Sequence, residues 1–278
     1  MLGGALARTV SDAGAFGMLG FDEGETAESL AEQLAKLRGG NAPVRFGIGL
    51  VRWALDLAIA AKPAFVSISL GDPTPYVERF HDAGILVGAQ VQSRAWARTA
   101  LAAGVDILTA QGTEAGGHTG SVGTLPLLQI VLEMAGDVPV IAAGGMATGR
   151  GLAAGASGAW IGTPFLVARE ARSNDVARER IMPSDETQTV LTRAPSIAFR
   201  RKRGRPNLPV GQCEMRSPTG ITGAKARSRC GESLRETDGR ARGCGGTCGG
   251  HRRADRLRSA DAPASRAAHR VWCRRIGH

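Results

Sequence analysis

Long hydrophobic runs are missing from this sequence. No stretch approaches the ~18 uncharged apolar residues of a membrane-spanning helix, so a transmembrane protein is not expected. The opening MLGGALARTV lacks a basic segment followed by an apolar one, which argues against a secretory leader and for a cytoplasmic protein. No G-x-G-x-x-G follows the first strand-like run with an acidic residue ~20 positions later, so the dinucleotide fingerprint is absent. Short repeats of the solenoid kind are absent too. Cysteine is absent from residues 1–193, which leaves no disulfide framework or thiolate metal site there.

The formal net charge of +10 over 278 residues would ordinarily point to a nucleic-acid partner. It is an average over two unlike segments. Residues 1–193 carry 15 Lys+Arg against 19 Asp+Glu, a net of −4. Residues 194–278 carry 20 against 6, a net of +14, with 18 of the 20 being Arg. All five cysteines (Cys213, Cys230, Cys244, Cys248, Cys273) lie in this second segment. It holds only nine Ile, Leu, Val and Phe, well under the ~20% below which charged chains stay disordered. The expected organisation is therefore a domain over 1–193 and a largely disordered basic tail over 194–278. So abrupt a change at one point is what an altered reading frame produces, and non-native sequence is the expectation for the tail. It carries no RNP, zinc-finger or helix-turn-helix signature, so nucleic acid is not expected as a partner. The spacing of Cys244, Cys248 and His251 matches no common metal finger.

Residues 1–193 alternate short apolar runs with stretches of helical period. Strands are expected at 15–20, 44–50, 64–71, 85–91, 105–112, 138–145 and 158–165, and helices near 3–13, 26–38, 53–61, 74–82, 93–103, 124–135 and 148–156. Several strand runs are apolar at nearly every position, as in a parallel sheet covered on both faces. Seven βα units indicate α/β architecture. A closed barrel and an open doubly wound sheet both place chemistry at the C-terminal ends of strands. Glycine-rich turns after the last two strands, where barrels hold phosphate, favour a TIM-type (β/α) barrel, incomplete because eight strands close one.

Three motifs sit at those strand ends. QGTEAGGHTG (111–120) contains His118, the one histidine at a strand end and suited to proton transfer near neutral pH. Its plain alternative is a loop histidine bonded to backbone. VPVIAAGGMATGRG (138–151) and WIGTPF (160–165) bring Gly144, Gly145, Gly162 and Thr163 into two turns whose N–H groups and hydroxyl suit an anion. Neither contains Lys, so such a cradle would be neutral backbone.

QGTEAGGHTG, PVIAAGGMATGRGLAAG and WIGTPFLVAREA resemble the nitronate monooxygenases, formerly called 2-nitropropane dioxygenases, as do SDAGAFGMLG, FGIGLVRWALD and MPSDETQTVLTR. The resemblance covers nearly all of residues 1–193. It implies an FMN-dependent TIM-barrel flavoprotein, an oxidoreductase that converts alkyl nitronates or nitroalkanes with dioxygen into a carbonyl compound and nitrite. His118 matches the family's catalytic base. Gln111 and Gly116, with the adjoining Gly117, match the flavin contacts, and Gly144, Gly145, Gly162 and Thr163 match the phosphate turns. Spacing alone accommodates another phosphate-bearing group equally well.

The chain departs from the family pattern in lacking the first strand, in a segment shorter by about four residues at Gly151–Gly158, and in Gly49 where some members carry Asn. Two alternatives stay open: another FMN-barrel reaction such as flavin-dependent enoyl reduction, and an inactive truncated product.

Overall fold

A computed structural model of the chain describes residues 3–21, 26–40, 43–50, 55–192 and 214–218. Several helices begin and end where local chemistry dictates. In α2 (Ala27–Arg38) the Thr26 hydroxyl accepts from the Ser29 N–H, and Glu28 in the first turn and Lys36 and Arg38 in the last complement the helix dipole. Leu30, Leu34 and Leu37, at helical spacing, are its buried face. Ser93 caps α5 (Arg94–Ala102) in the same way, through the Trp96 N–H. Gly136, at φ +54°, terminates α6 (Thr124–Ala135), whose Leu127, Leu128 and Val131 are fully buried.

The strands β1 (Gly17–Gly20), β2 (Phe46–Leu50), β3 (Phe65–Ile68), β4 (Leu86–Val91), β5 (Ile107–Gln111), β7 (Val140–Ala143) and β8 (Gly158–Trp160) form one parallel sheet in that order. The remaining helices are α1 (Gly4–Asp12), α3 (Leu55–Ala61), α4 (Thr74–Asp82) and α7 (Asp175–Ile181). A doubly wound sheet reverses strand order about its first strand, whereas this one advances strand by strand, as a barrel does. Among the described residues β1 and β8 are its two edges, so the barrel is open with seven strands.

The strand period of two separates two apolar clusters. Val66, Ile68, Val87, Ala89, Leu108, Ala110, Val140 and Ala142 pack with Leu30, Leu37, Phe80, Leu127 and Val131 of the helices. Alternate residues face the barrel interior, where Phe65, Ile107 and Ile141 pack with Phe16, Met18, Leu86 and Trp160. This double coverage is why the strands read as nearly continuous apolar runs.

All seven expected strands form, several of them shorter than their apolar runs. The run 158–165 divides into β8 and a 3-10 helix at Thr163–Val167, because Pro164 cannot donate to a ladder. The segment expected as a helix at 148–156 is a 3-10 turn, Gly149–Ala154. Three glycines within seven residues weaken helix there, and Gly155 at φ +94° ends it.

A second sheet was not anticipated. It pairs β6 (Gly117–Thr119), β10 (Glu214–Pro218) and β9 (Thr189–Thr192) antiparallel, with β10 in the middle. Glu214–Pro218 is thus a strand inside the segment expected to be largely disordered: a strand can be recruited by pairing partners that composition does not record. Residues 219–278, with Cys230, Cys244, Cys248, Cys273 and His251, lie outside the described residues, as do Arg193 to Cys213.

Candidate active site at the C-terminal rim of the barrel

Register places the interior-facing residues in levels. Met18, Gly47, Phe65 and Leu86 align at the N-terminal end, giving an apolar floor. Above it Gln90 aligns with Thr109, Ile141 and Gly158, and Gln111 with Ala143 and Trp160. The upper interior therefore has a polar wall on β3–β5 and an apolar wall on β7–β8. Ser67 and Thr109 are completely buried, and their hydroxyls have no partner among the described residues. Ser69 donates to Gln90 Oε1 at 2.7 Å. Buried hydroxyls left unpaired are costly unless something polar meets them.

The QGTEAGGHTG motif folds as a tight turn followed by a strand. Gln111 is the last residue of β5 and is buried. The Gly112 N–H donates to the Ala143 carbonyl at 3.0 Å, carrying the backbone across to β7. A Cβ on Gly112 would collide with Thr124, so the start of α6 sits directly on this turn. Gly144, at φ +112°, is equally constrained: a Cβ there would lie 2.6 Å from both the Ala115 nitrogen and Thr124 Oγ1.

Glu114, to which the sequence assigned no role, holds this junction together. One carboxylate oxygen, Oε2, accepts from the Thr124 N–H at 2.8 Å, the Thr124 hydroxyl at 3.0 Å and the Thr113 hydroxyl at 3.1 Å. It thereby caps α6 from ten residues away, where Gly123 makes no side-chain cap. Partial burial pushes the Glu114 carboxyl up, but hydrogen bonds from the Thr124 and Glu114 N–H groups and from the two threonine hydroxyls outweigh it and leave the pKa below 4.5. A depressed folded pKa stabilises above the unfolded value, and that contribution disappears as pH falls through the folded one. The stability advantage of the wild type over Glu114→Gln is accordingly expected at neutral pH and should close below pH 4.5. Urea titrations of both proteins across that range check it, and a gap independent of pH would remove the charged cap.

His118 is half-buried and lies in β6, opposite Met215 of β10, rather than in an open loop. Gln92, just beyond β4, donates from Nε2 to the His118 carbonyl at 2.8 Å and to Gln111 Oε1 at 2.8 Å. A carbonyl oxygen only accepts, which fixes the Gln92 amide with its nitrogen toward β6. The Gln111 oxygen must then face Gln92, so the free side of the Gln111 amide is a donor and suits a ligand with acceptor atoms.

The glycine turns follow β7 and β8, which are paired at Ala143 and Trp160. Gly145, at φ +66°, is exposed; Gly162 opens the 3-10 helix, and a Cβ there would meet nothing within 4 Å. Thr163 is exposed beside it. Gly116 and Gly117 are exposed with open space around them, Gly117 at φ +75°. The structure thus gathers Gln111 and the Gly144-Gly145 and Gly162-Thr163 turns on three adjacent strand ends, with β6 tied to the first of them through Gln92. Sequence reasoning missed Gln92, Glu114, Ser67 and Thr109, residue types common enough in any chain to carry no local signal.

Comparison with known proteins agrees with this architecture. The family model described as "Nitronate monooxygenase" matches residues 41–214, running past the composition break at 194. A Staphylococcus aureus protein named "Probable nitronate monooxygenase" is 38% identical over 155 residues, which is 50% of this chain and 43% of that protein. An octahydroindene carboxyl-CoA dehydrogenase of Mycobacterium tuberculosis is 34% identical over 202 residues, 68% of this chain and 56% of that one. The chain therefore spans about half the length of the curated relatives it matches. The structure of FabK from Thermotoga maritima superposes with a TM-score of 0.65 at 30% identity, over 78% of this chain and 67% of that one. Nitroalkane oxidase from Streptomyces ansochromogenes superposes with a TM-score of 0.61 at 28% identity, over 69% and 70%. On the family match, which covers well over half of its residues, the chain belongs to the nitronate monooxygenase family.

Proposed function

We propose that residues 1–193 form the FMN-binding part of a cytoplasmic flavoenzyme that oxidises alkyl nitronates or nitroalkanes with dioxygen to a carbonyl compound and nitrite. The observation that carries this reading is the placement of His118, held through Gln92 to the Gln111 strand end that adjoins two open glycine turns. The residues fit a flavin phosphate ester. Gly145, Gly162 and Thr163 would hold the phosphate, where no Cβ fills the space at Gly162. The Gln111 donor and the orphaned Ser67 and Thr109 hydroxyls would meet the polar edge of the ring, and Ile141 and Trp160 its apolar surface. Bound FMN supplies the redox chemistry.

His118 would take the proton α to the nitro group, turning the neutral nitroalkane into the electron-rich nitronate. Gln111 would orient acceptor oxygens, and the apolar floor of Phe65, Leu86 and Met18 would close the barrel to water from below. The visible spectrum of the purified protein tests the cofactor: a flavin band, present or restored by added FMN, is expected. A protein that stays colourless would support the reading of an inactive product.

A second reading, reduction or dehydrogenation of a thioester-linked substrate on the same barrel, is favoured by the likeness to the carboxyl-CoA dehydrogenase. NAD(P)H oxidation measured against nitronate consumption separates the two. For the tail we propose that residues 194–278 are altered or non-native sequence; among the described residues of that segment, β10 pairs with β6 and β9. Resequencing the coding region and measuring the intact mass test this.

A further inference from the structure

We infer that Gln92 is the positioning residue for His118, an inference that rests on the reading of His118 as the base. A strand of three residues, β6 has little ladder of its own to define its place. On one side it is paired with β10. On the barrel side it meets Gln92, whose single amide nitrogen uses both hydrogens, one on the His118 carbonyl and one on Gln111 Oε1. The contact is close as well as polar: a Cβ on Gly120, two residues beyond His118, would lie 2.9 Å from the Gln92 Cβ and 3.1 Å from its carbonyl oxygen. The end of β4 therefore sets how far β6 stands from the rim, and Gln92 uses both of its amide N–H donors doing so. Gln92 acts through the histidine backbone and moves no proton itself. A base displaced by about 1 Å loses on the order of 100-fold in rate, so small changes at Gln92 should be felt in proton abstraction.

The test uses the full-length holoenzyme with nitroethane and its preformed nitronate as paired substrates, because only the neutral compound needs the base. Gln92→Glu is nearly isosteric and, ionised, has no N–H to donate. We expect the ratio of nitroethane to nitronate turnover to fall about 10- to 100-fold, through kcat rather than KM. Gly120→Ala pushes the same two elements apart from the other side and should lower the ratio in the same direction; it decides the matter if the Gln92 variant does not fold. A purely structural role would lower both turnovers together and leave the ratio at its wild-type value, which overturns the inference. His118→Asn, run in parallel, keeps the two failures apart. If His118→Asn lowers the ratio while Gln92→Glu and Gly120→Ala do not, Gln92 is not a positioning residue. If His118→Asn leaves the ratio unchanged, the base assignment falls and this inference falls with it.

Discussion

Replacing His118 by Asn should lower turnover of a neutral nitroalkane by about 10²- to 10⁴-fold, the usual range for loss of a general base. Asn keeps a hydrogen-bonding group of comparable reach but cannot accept a proton near neutral pH. Turnover of preformed nitronate should fall far less, since that substrate arrives already deprotonated. His118 sits in β6, and its backbone carbonyl is held by Gln92, so the substitution leaves the positioning hydrogen bond in place. Steady-state kinetics on the two substrates check this. Equal losses on both would mean that His118 contributes binding or structure, and proton transfer would have to be sought elsewhere on the rim.

Gly144→Ala should be strongly damaging, because it combines a backbone clash with a backbone conformation reserved for glycine. The new Cβ would sit 2.6 Å from the backbone nitrogen of Ala115, which cannot rotate away, and 2.6 Å from Thr124 Oγ1. Its φ of +112° is also a conformation that alanine avoids. Strain costs about 1–3 kcal/mol and overpacking a similar amount, a large share of the ~5–15 kcal/mol by which domains are stable. The turn that would be displaced carries Glu114 and leads into β6, so loss of flavin binding should accompany the loss of stability. Gly145→Ala is the natural control. Its φ is +66°, but the nearest atom to its Cβ is 3.6 Å away, so only the conformational cost applies. Thermal unfolding of the two variants compares them directly. A Gly144→Ala protein no less stable than Gly145→Ala would show that the 112–115 turn yields easily and does not fix the rim.

The parts of the fold that were legible in the sequence are those encoded locally. Runs such as AFVSISLG and VDILTAQG are apolar at consecutive positions because helices cover one face and the barrel interior the other, and this burial is repeated residue by residue. The glycines at strand ends were legible for the same reason: Gly144 and Gly145 adopt conformations that other residues resist. Where local chemistry was ambiguous the reading failed. The run 158–165 begins as a strand, but its last residues turn into a 3-10 helix at Thr163–Val167, where Gly162 and Pro164 interrupt the strand pattern. β10 has no strand-like neighbourhood in the sequence and exists by pairing with β6 and β9.

By itself, then, the sequence determined the βα alternation, the seven strands and the positions of the two glycine turns, because each follows from periodicity or backbone freedom within a few residues. Only the tertiary structure decided which side chains work together. Gln92 and His118 are 26 residues apart, and Ala143 shares Thr124 and Gly112 with the opposite side of the same turn. Such pairings depend on the register of neighbouring strands and the distance between their ends. No local pattern specifies either quantity, because each is set by packing that involves the whole barrel.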